Sequence, residues 1–299
     1  MKRITPLALS ALLTLAPLAS CAPAPPPEPT AQVFAFTREN FPRLDGSTST
    51  VPLGQAVCSV LLGESREDVA DLTRFSRTTA SYEALMAGEA DLLIAGEPEA
   101  WVMEELTARD QWLLTPFAND ALVFLVSQDN PVDELSWAQL RDIYAGTVTN
   151  WSQVGGDDLD IMPFQRNQEA GSQALMKKLV MGDTPLMVPP ADYIPSMGGM
   201  MEAVRDFDGG PAALGYTVYY YAHDMEMAKG LKLLRIDGQT PDAESIRSGG
   251  YPFLNPYYAV VAKDAPGDSP ARILYDWLLG PEGQRLVEQE GYVAVSAPA

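Results

Sequence analysis

Two stretches of the chain gather hydrogen-bond donors just ahead of a helix. In the first, Asp45-Gly46-Ser47-Thr48-Ser49-Thr50 precedes Leu53, Ala56, Val57, Val60 and Leu61, which recur at i, i+3, i+4, i+7 and i+8. That spacing predicts a helix with one apolar face, and Pro52 fits its first turn, where a missing N–H costs nothing. Four consecutive hydroxyl residues are more than one cap requires. They fit either a capped helix behind a solvated loop or a helix start that offers N–H groups and hydroxyls to an anion. In the second, Phe164-Gln165-Arg166-Asn167-Gln168-Glu169-Ala170-Gly171-Ser172-Gln173 leads into a helix carrying Leu175, Met176 and Leu179. Gly171 permits close backbone approach, Ser172 supplies a hydroxyl, and Arg166 supplies a fork of donors suited to an oxyanion. A third stretch, Pro195-Ser196-Met197-Gly198-Gly199, has glycines but no cation. Each alone reads as an ordinary cap; together they point to oxyanion chemistry.

The elements that must position these loops follow an α/β rhythm. Short apolar runs at Asp91–Ala95, Ala121–Ser127, Asp160–Phe164, Ala213–Tyr219, Leu231–Ile236 and Tyr257–Lys263 read as strands. Between them Thr79–Ala87, Ser136–Tyr144, Gly171–Val180, Gly199–Phe207 and Pro270–Leu279 read as amphipathic helices. Such alternation predicts sheets covered by helices on both faces.

Composition narrows the function classes. The chain has 299 residues, 46% hydrophobic and 20% charged, which suits a folded protein of about two domains. Twenty basic against forty acidic residues give a net charge of −20, so nucleic acid is a poor partner: phosphate backbones are held by clustered Lys and Arg. A single histidine, His223, and two cysteines cannot build a His-rich or thiolate metal site. No cofactor is expected. The acid excess cannot steer an anion inward, so any anion affinity must come from local donors.

The first twenty residues stand apart. Lys2 and Arg3 precede an apolar stretch from Leu7 to Leu18, too short to span a bilayer but suited to a secretory signal. It ends in Leu18-Ala19-Ser20-Cys21, which resembles the lipobox of bacterial lipoproteins, a family cut before a cysteine that then receives lipid. Residues 22–29 hold five prolines, an extended tether of roughly 25 Å at about 3.1 Å per residue. If Cys21 carries lipid, Cys58 is left alone on an apolar helix face, where an inert buried thiol is expected. Removing residues 1–20 deletes Lys2 and Arg3 and no acid, taking the charge from −20 to −22.

Several motifs, in this order, resemble the phosphate-type periplasmic binding proteins: Asp45-Gly46-Ser47-Thr48, Gly88-Glu89-Ala90-Asp91-Leu92, Asn150-Trp151, Gln165-Arg166 and Gly171-Ser172-Gln173. Ala213-Leu214-Gly215-Tyr216, Tyr251-Pro252-Phe253, Gly283-Gln284 and Gly291-Tyr292-Val293 continue the series. The resemblance covers residues 35–296 and is strongest to the lipoprotein branch of the family. It implies a two-lobe α/β fold of the type II periplasmic binding protein class, with two crossing strands and an interlobe cleft. Lobe one is expected at 31–121 plus 253–299 and lobe two at 122–252, after a signal at 1–20 and a tether at 21–30. It also implies capture of a small oxyanion, phosphate first, and delivery to an ABC transporter permease. The protein is then extracytoplasmic, joined to the membrane through lipid on Cys21 only, and a monomer.

The ligand set implied by the resemblance is Ser47, Thr48, Thr78 or Thr79, Arg166, Gly171 and Ser172. Two departures from the family pattern stand out. Counting from Arg166, Ala170, Gly171 and Ser172 occupy positions where the family has Ser, Gly and Thr, so one hydroxyl is lost. Where the family has an aspartate that accepts a proton from hydrogen phosphate, this chain has Gly96, with Glu97 beside it. Glu97 is either a substitute acceptor or a plain exposed acid. The departures leave open a docking or sensing lipoprotein of the same fold with a weakened site. An enzyme is the remaining class. No Gly-x-Ser-x-Gly elbow is present, and Ser-His-Asp chemistry needs His223 to reach a serine.

Overall fold

The computed structural model describes residues 34–168, 170–222 and 229–296. Cys21, the tether and His223 lie outside the described residues. In chain order the first elements are β1 (Leu44–Gly46), α1 (Val51–Leu62), α2 (Thr78–Met86), β2 (Leu92–Gly96), α3 (Ala100–Arg109) and β3 (Trp112–Ser127). Then come β4 (Glu134–Leu135), α4 (Trp137–Ala145), β5 (Met162–Pro163), α5 (Gly171–Leu175), α6 (Met197–Arg205), β6 (Ala213–Val218) and α7 (Tyr219–Ala222). The last are β7 (Leu231–Leu233), β8 (Arg235–Ile236), α8 (Ala243–Ser248), β9 (Leu254–Ala262), α9 (Pro270–Leu279), α10 (Pro281–Gln289) and β10 (Val293–Ala294).

One strand organises the sheet. The order is β1-β2-β9-β3-β6-β5, with β10 and β7 also on β3. The sixteen residues of β3 serve two sets of partners. Trp112–Ala121 pair antiparallel with β9, and Ala118 and Asn119 also meet β10. From Leu122 onward the partners change to β6 and β7. The junction is sharp: Ala121 faces Leu254 and the next residue, Leu122, faces Val218. The Leu122 N–H also donates to the Phe253 carbonyl at 2.9 Å, so two chain segments run side by side here. A first sheet region (β1, β2, β9, β10 and Trp112–Ala121) and a second (β5, β6, β7 and Leu122–Ser127) therefore share β3.

Each region has its own apolar core, because helices cover strands that are buried on both faces. Leu53, Val57, Ile94, Phe117, Val261 and Leu274 form the centre of the first. Phe124, Tyr144, Trp151, Tyr216 and Phe253 anchor the second, where Phe124 stands edge-on to Phe253 with ring centroids 5.9 Å apart. All five residues of β2 are buried, which explains why its Leu-Leu-Ile-Ala run lacks alternation.

Most expected elements are present, with instructive differences. Trp112–Asp120 escaped prediction because Pro116, Asn119 and Asp120 interrupt the apolar run. The register slips between Pro116 and Ala118, a bulge that tolerates the proline. The expected strand at Asp160–Phe164 contracts to Met162–Pro163 beside the edge of β6. The helix expected over Gly171–Val180 begins at Gly171 but opens into a π-helical turn from Met176 to Met181. Trp151 packs a corner, its indole N–H donating to the Ala212 carbonyl at 2.8 Å. Met200 and Met201 are core residues, and Cys58 is a free buried thiol whose pKa burial pushes up to about 12.

Candidate functional site

The first cluster forms where β1 ends against β2. Gly46 is there because any side chain would collide: a Cβ at this position would lie 2.1 Å from the Ile94 carbonyl oxygen. This close approach brings Ser47 beside the end of β2. The Ser47 hydroxyl accepts from the Gly96 N–H at 2.8 Å and lies 2.8 Å from the Thr78 hydroxyl. Asp45 fixes the facing loop by accepting from the Ser76 N–H at 2.8 Å and from the Ser76 hydroxyl. Arg77, next in line, has φ of 81°, an uncommon conformation for a residue with a side chain, and it starts α2 at Thr78. Thr78 is thus brought to Ser47. Thr79 is half-buried and Thr48 is exposed at the start of a 3-10 turn, Thr48–Thr50, that leads into α1.

The hydroxyls of this loop do not cap the helix, contrary to the capped-helix expectation. Thr50 turns its hydroxyl to the Ser47 and Ile94 carbonyls at 2.9 and 2.5 Å. Neither Ser47 nor Thr50 accepts from the helix it precedes. The starts of α1, α2 and α5 all lack a side-chain cap, whereas Ser196 accepts from the Gly199 N–H at 3.0 Å and caps α6. The third stretch from the sequence is therefore an ordinary cap, and the first two are not. Helices α3 and α10 also start without a side-chain cap.

Arg166 centres the second cluster. Its side chain is buried, with 6% of the residue exposed. Nε donates to the Ile194 carbonyl at 2.9 Å, one terminal nitrogen to the Ser172 hydroxyl at 3.2 Å and the other to the Pro195 carbonyl at 3.2 Å. A guanidinium carries five N–H donors, so three engaged leave two. No carboxylate pairs with it among the described residues, and burial lowers its pKa from the usual arginine value. Its backbone is held too: the Arg166 N–H donates to the Tyr216 hydroxyl at 2.9 Å, and that hydroxyl donates to the Gln173 side chain. Gln165 and Gln173 are buried, and Gln165 donates to the Met187 carbonyl at 2.9 Å. Sequence reasoning missed these supports, although Tyr216 and both glutamines lie within the quoted motifs. Gly171 is exposed at the helix start, with nothing within 4 Å of where a Cβ would stand.

The clusters sit on different sheet regions, and among the described residues an ion pair links the segments that follow them. Glu97, following β2, pairs with Lys178 of the π-helical turn at 2.8 Å. Both side chains are well exposed, so Glu97 is committed to an exposed cross-region ion pair. Gly96 carries no side chain, yet a Cβ there would meet only ordinary contacts, Ser47 Oγ at 3.5 Å and the Tyr257 ring at 3.9 Å.

Residues 45–281 of this two-region α/β fold match the PBP superfamily domain. The chain belongs to the periplasmic binding protein superfamily and has its two-lobe, type II fold. Its relatives narrow this further. It is 27% identical over 187 residues to the phosphate-binding protein PstS of Borreliella burgdorferi, covering 60% of this chain and 65% of that one. It is 27% identical to PstS of Bacillus subtilis over 57% of this chain and 54% of that one. The chain thus matches less than two thirds of either relative. Protein SphX of Synechococcus elongatus is 24% identical over 85% of this chain and 77% of its own. Among solved structures, an ABC-type phosphate transport receptor from Vibrio cholerae superposes with a TM-score of 0.66 at 23% identity, over 84% of this chain and 98% of that one. Borrelia burgdorferi PstS gives 0.64 at 22%, over 85% and 98%.

Proposed function

We propose that the protein captures a small tetrahedral oxyanion, phosphate first, between its two lobes and delivers it to an ABC transporter permease. The single observation that carries this reading is Arg166: a buried guanidinium with two free N–H donors and no carboxylate partner among the described residues, in a chain with forty acids. Buried charges need a partner, and an oxyanion satisfies this one with bidentate geometry. The ligand donors are Arg166, Ser172 and the Gly171 N–H from one side, and Ser47, Thr48 and Thr78, with Thr79 as the alternative, from the other. The lobes are 31–121 plus 253–299 and 122–252, a division supported by the change of partners along β3 between Ala121 and Leu122. The reading is binding rather than catalysis.

The protein works as a monomer outside the cytoplasmic membrane, anchored by lipid on Cys21. Among the described residues no helix is long and apolar enough to cross a membrane. Cys21→Ala is expected to release the protein into the soluble fraction; retention of both membrane association and processing overturns the anchor. Titration calorimetry with phosphate and sulfate tests the ligand. Heat with phosphate that disappears in Arg166→Ala supports it, and no heat with any tetrahedral anion at millimolar concentration overturns it. Gly96 and Ala170, which withhold a carboxylate and a hydroxyl, favour as a second reading a docking or sensing lipoprotein. That same absence of heat selects it.

A further inference from the structure

The strand shared by the two regions carries a buried acid at its junction. Asp120 is 1% exposed and immediately precedes Ala121, the last residue of β3 that pairs with β9. Its Oδ1 accepts from the Ala121 N–H at 2.8 Å and from the Tyr220 N–H of α7 at 3.1 Å. Its Oδ2 faces the Tyr257 hydroxyl of β9 at 3.4 Å, which also accepts from Asn255 at 3.1 Å. The titratable groups that face it are Tyr219 and Tyr220 from α7, Tyr257 from β9 and Tyr292 from the turn before β10. The charged pair of Arg66 and Glu290 lies beyond Tyr220, and Asp242 and Glu288 lie beyond Tyr219. No cation pairs with Asp120 among the described residues.

The walls of this enclosure come from both regions. Tyr220 follows β6 in the second region, whereas Tyr257 and Tyr292 belong to the first. Tyr220 stacks on Tyr292 with centroids 4.5 Å apart, and Tyr292 stands edge-on to Tyr257 at 5.7 Å. Parting the regions separates Tyr220 from Tyr292 and admits water to the carboxyl. The enclosure also touches the first donor cluster. The Tyr292 hydroxyl donates to the Ser49 carbonyl at 2.9 Å, and Tyr257 pairs in register with Gly96.

We propose that Asp120 couples closure of the two lobes, and hence anion binding, to the uptake of a proton. Enclosed, the carboxyl favours its neutral form, because its desolvation outweighs the hydrogen bonds it accepts from the Ala121, Tyr219 and Tyr220 N–H groups and the Tyr257 hydroxyl; opened to water, it ionises as an ordinary aspartate. Desolvation lifts the enclosed group from the ordinary aspartate value to about 7. The sign follows. Closure is fully favoured below the open-state pKa, near 4 for a hydrated aspartate, and loses ground until pH reaches the enclosed value. An ionised Asp120 also sets a negative charge one tyrosine away from Gly96, which opposes an anion there. Both effects weaken binding as pH rises. Asp120 touches no ligand in this account; it is a positioning residue. The ligand half of the inference rests on the oxyanion reading above, and the closure half does not.

Two measurements separate those halves. Spin labels on Glu67→Cys and Asp208→Cys, both exposed and on different regions, report closure without any ligand in a Cys21→Ala background, since Cys58 is buried. Between about pH 5 and pH 7.5 the interlabel distance is expected to lengthen in the otherwise unaltered protein and to stay constant in Asp120→Asn, which keeps the Oδ1 acceptor. Calorimetry with inorganic phosphate is then expected to show affinity falling at least about tenfold relative to Asp120→Asn over the same range, a ratio that cancels the anion's own titration. Tyr257→Phe removes a donor to the carboxylate and shifts the distance transition to higher pH, which keeps the test open if Asp120→Asn does not fold. A pH-independent distance in the unaltered protein, or the same transition in Asp120→Asn, overturns the proposal. A distance transition without phosphate heat leaves the proton coupling intact and removes only the oxyanion reading.

Discussion

The donor cluster around Ser47 and the one around Arg166 solve the same problem with different materials. The Ser47 side is neutral: two hydroxyls 2.8 Å apart and a backbone N–H, packed where β1 meets β2 so closely that only glycine fits at position 46. The Arg166 side is cationic, and its geometry is enforced by second partners, Tyr216 on the backbone and the Ile194 and Pro195 carbonyls on the guanidinium. A rigid neutral cradle gives shape at little desolvation cost. On the oxyanion reading, a buried cation without a carboxylate partner among the described residues gives affinity, at a cost to the unliganded protein because its charge is poorly solvated. Shape and affinity are therefore expected to respond to mutation on opposite sides of the cleft.

The largest expected effect breaks the comparison from the charged side. Arg166→Ala should raise the phosphate Kd at least about thirtyfold by calorimetry, the size expected when a buried charged partner is removed, while Arg166→Lys should fall between, keeping charge but losing the fork. Ser47→Ala attacks the rigid side. It strands the buried Gly96 N–H, so a loss of about 1–3 kcal/mol in unfolding free energy is expected in urea denaturation, more in stability than in affinity. A larger affinity loss than Arg166→Ala would invert the assignment of roles.

Gly96→Asp sharpens the comparison by adding charge to the neutral side. The new Cβ meets only ordinary contacts, so the protein should fold. A carboxylate there accepts a proton from hydrogen phosphate but repels sulfate, and competition calorimetry should show sulfate losing about tenfold relative to phosphate. Equal weakening of both anions would mean the position does not face the ligand. The smallest effect belongs to the exposed link between the sides. Glu97→Gln should change affinity by less than about 1 kcal/mol, and the difference should vanish in high salt.

The sequence made the charged side easy to find and the neutral side easy to misread. Arg166, Gly171 and Ser172 lie within seven residues at a strand-to-helix turn, a local pattern. The neutral cluster joins Ser47 to Thr78 and Gly96, pairings set by which strands are neighbours, and one sequence does not reveal neighbours. The contact of Thr78 with Ser47 depends on the positive φ of Arg77, which no propensity anticipates. In the same way, Ser/Thr runs look like caps because capping is local, whereas Thr50 spends its hydroxyl on a carbonyl 44 residues away. The first half of β3 was illegible because its proline and polar residues sit at a bulge and a junction, where the usual apolar pattern is relaxed. Asp120 was invisible for the reverse reason: one acid among forty draws no attention until its surroundings are known.

The sharing of β3 also imposes an order of assembly on a chain that emerges from its N-terminus. Every strand of the second region lies between Leu122 and Leu233, a continuous stretch, so its sheet is complete before the last fifth of the chain emerges. The first region cannot complete its sheet until Leu254–Ala262 arrives to bridge β2 and β3, partners that emerge more than a hundred residues earlier. Until then the buried run Leu92–Gly96 has an unpaired edge, a strand open to mispairing with other chains. A chain that emerges from its N-terminus is thus expected to expose this edge before its sheet closes, with the long closure between β2 and β9 as the slow step. Pulse-labelling hydrogen exchange should find the β6 amides protected before those of β2.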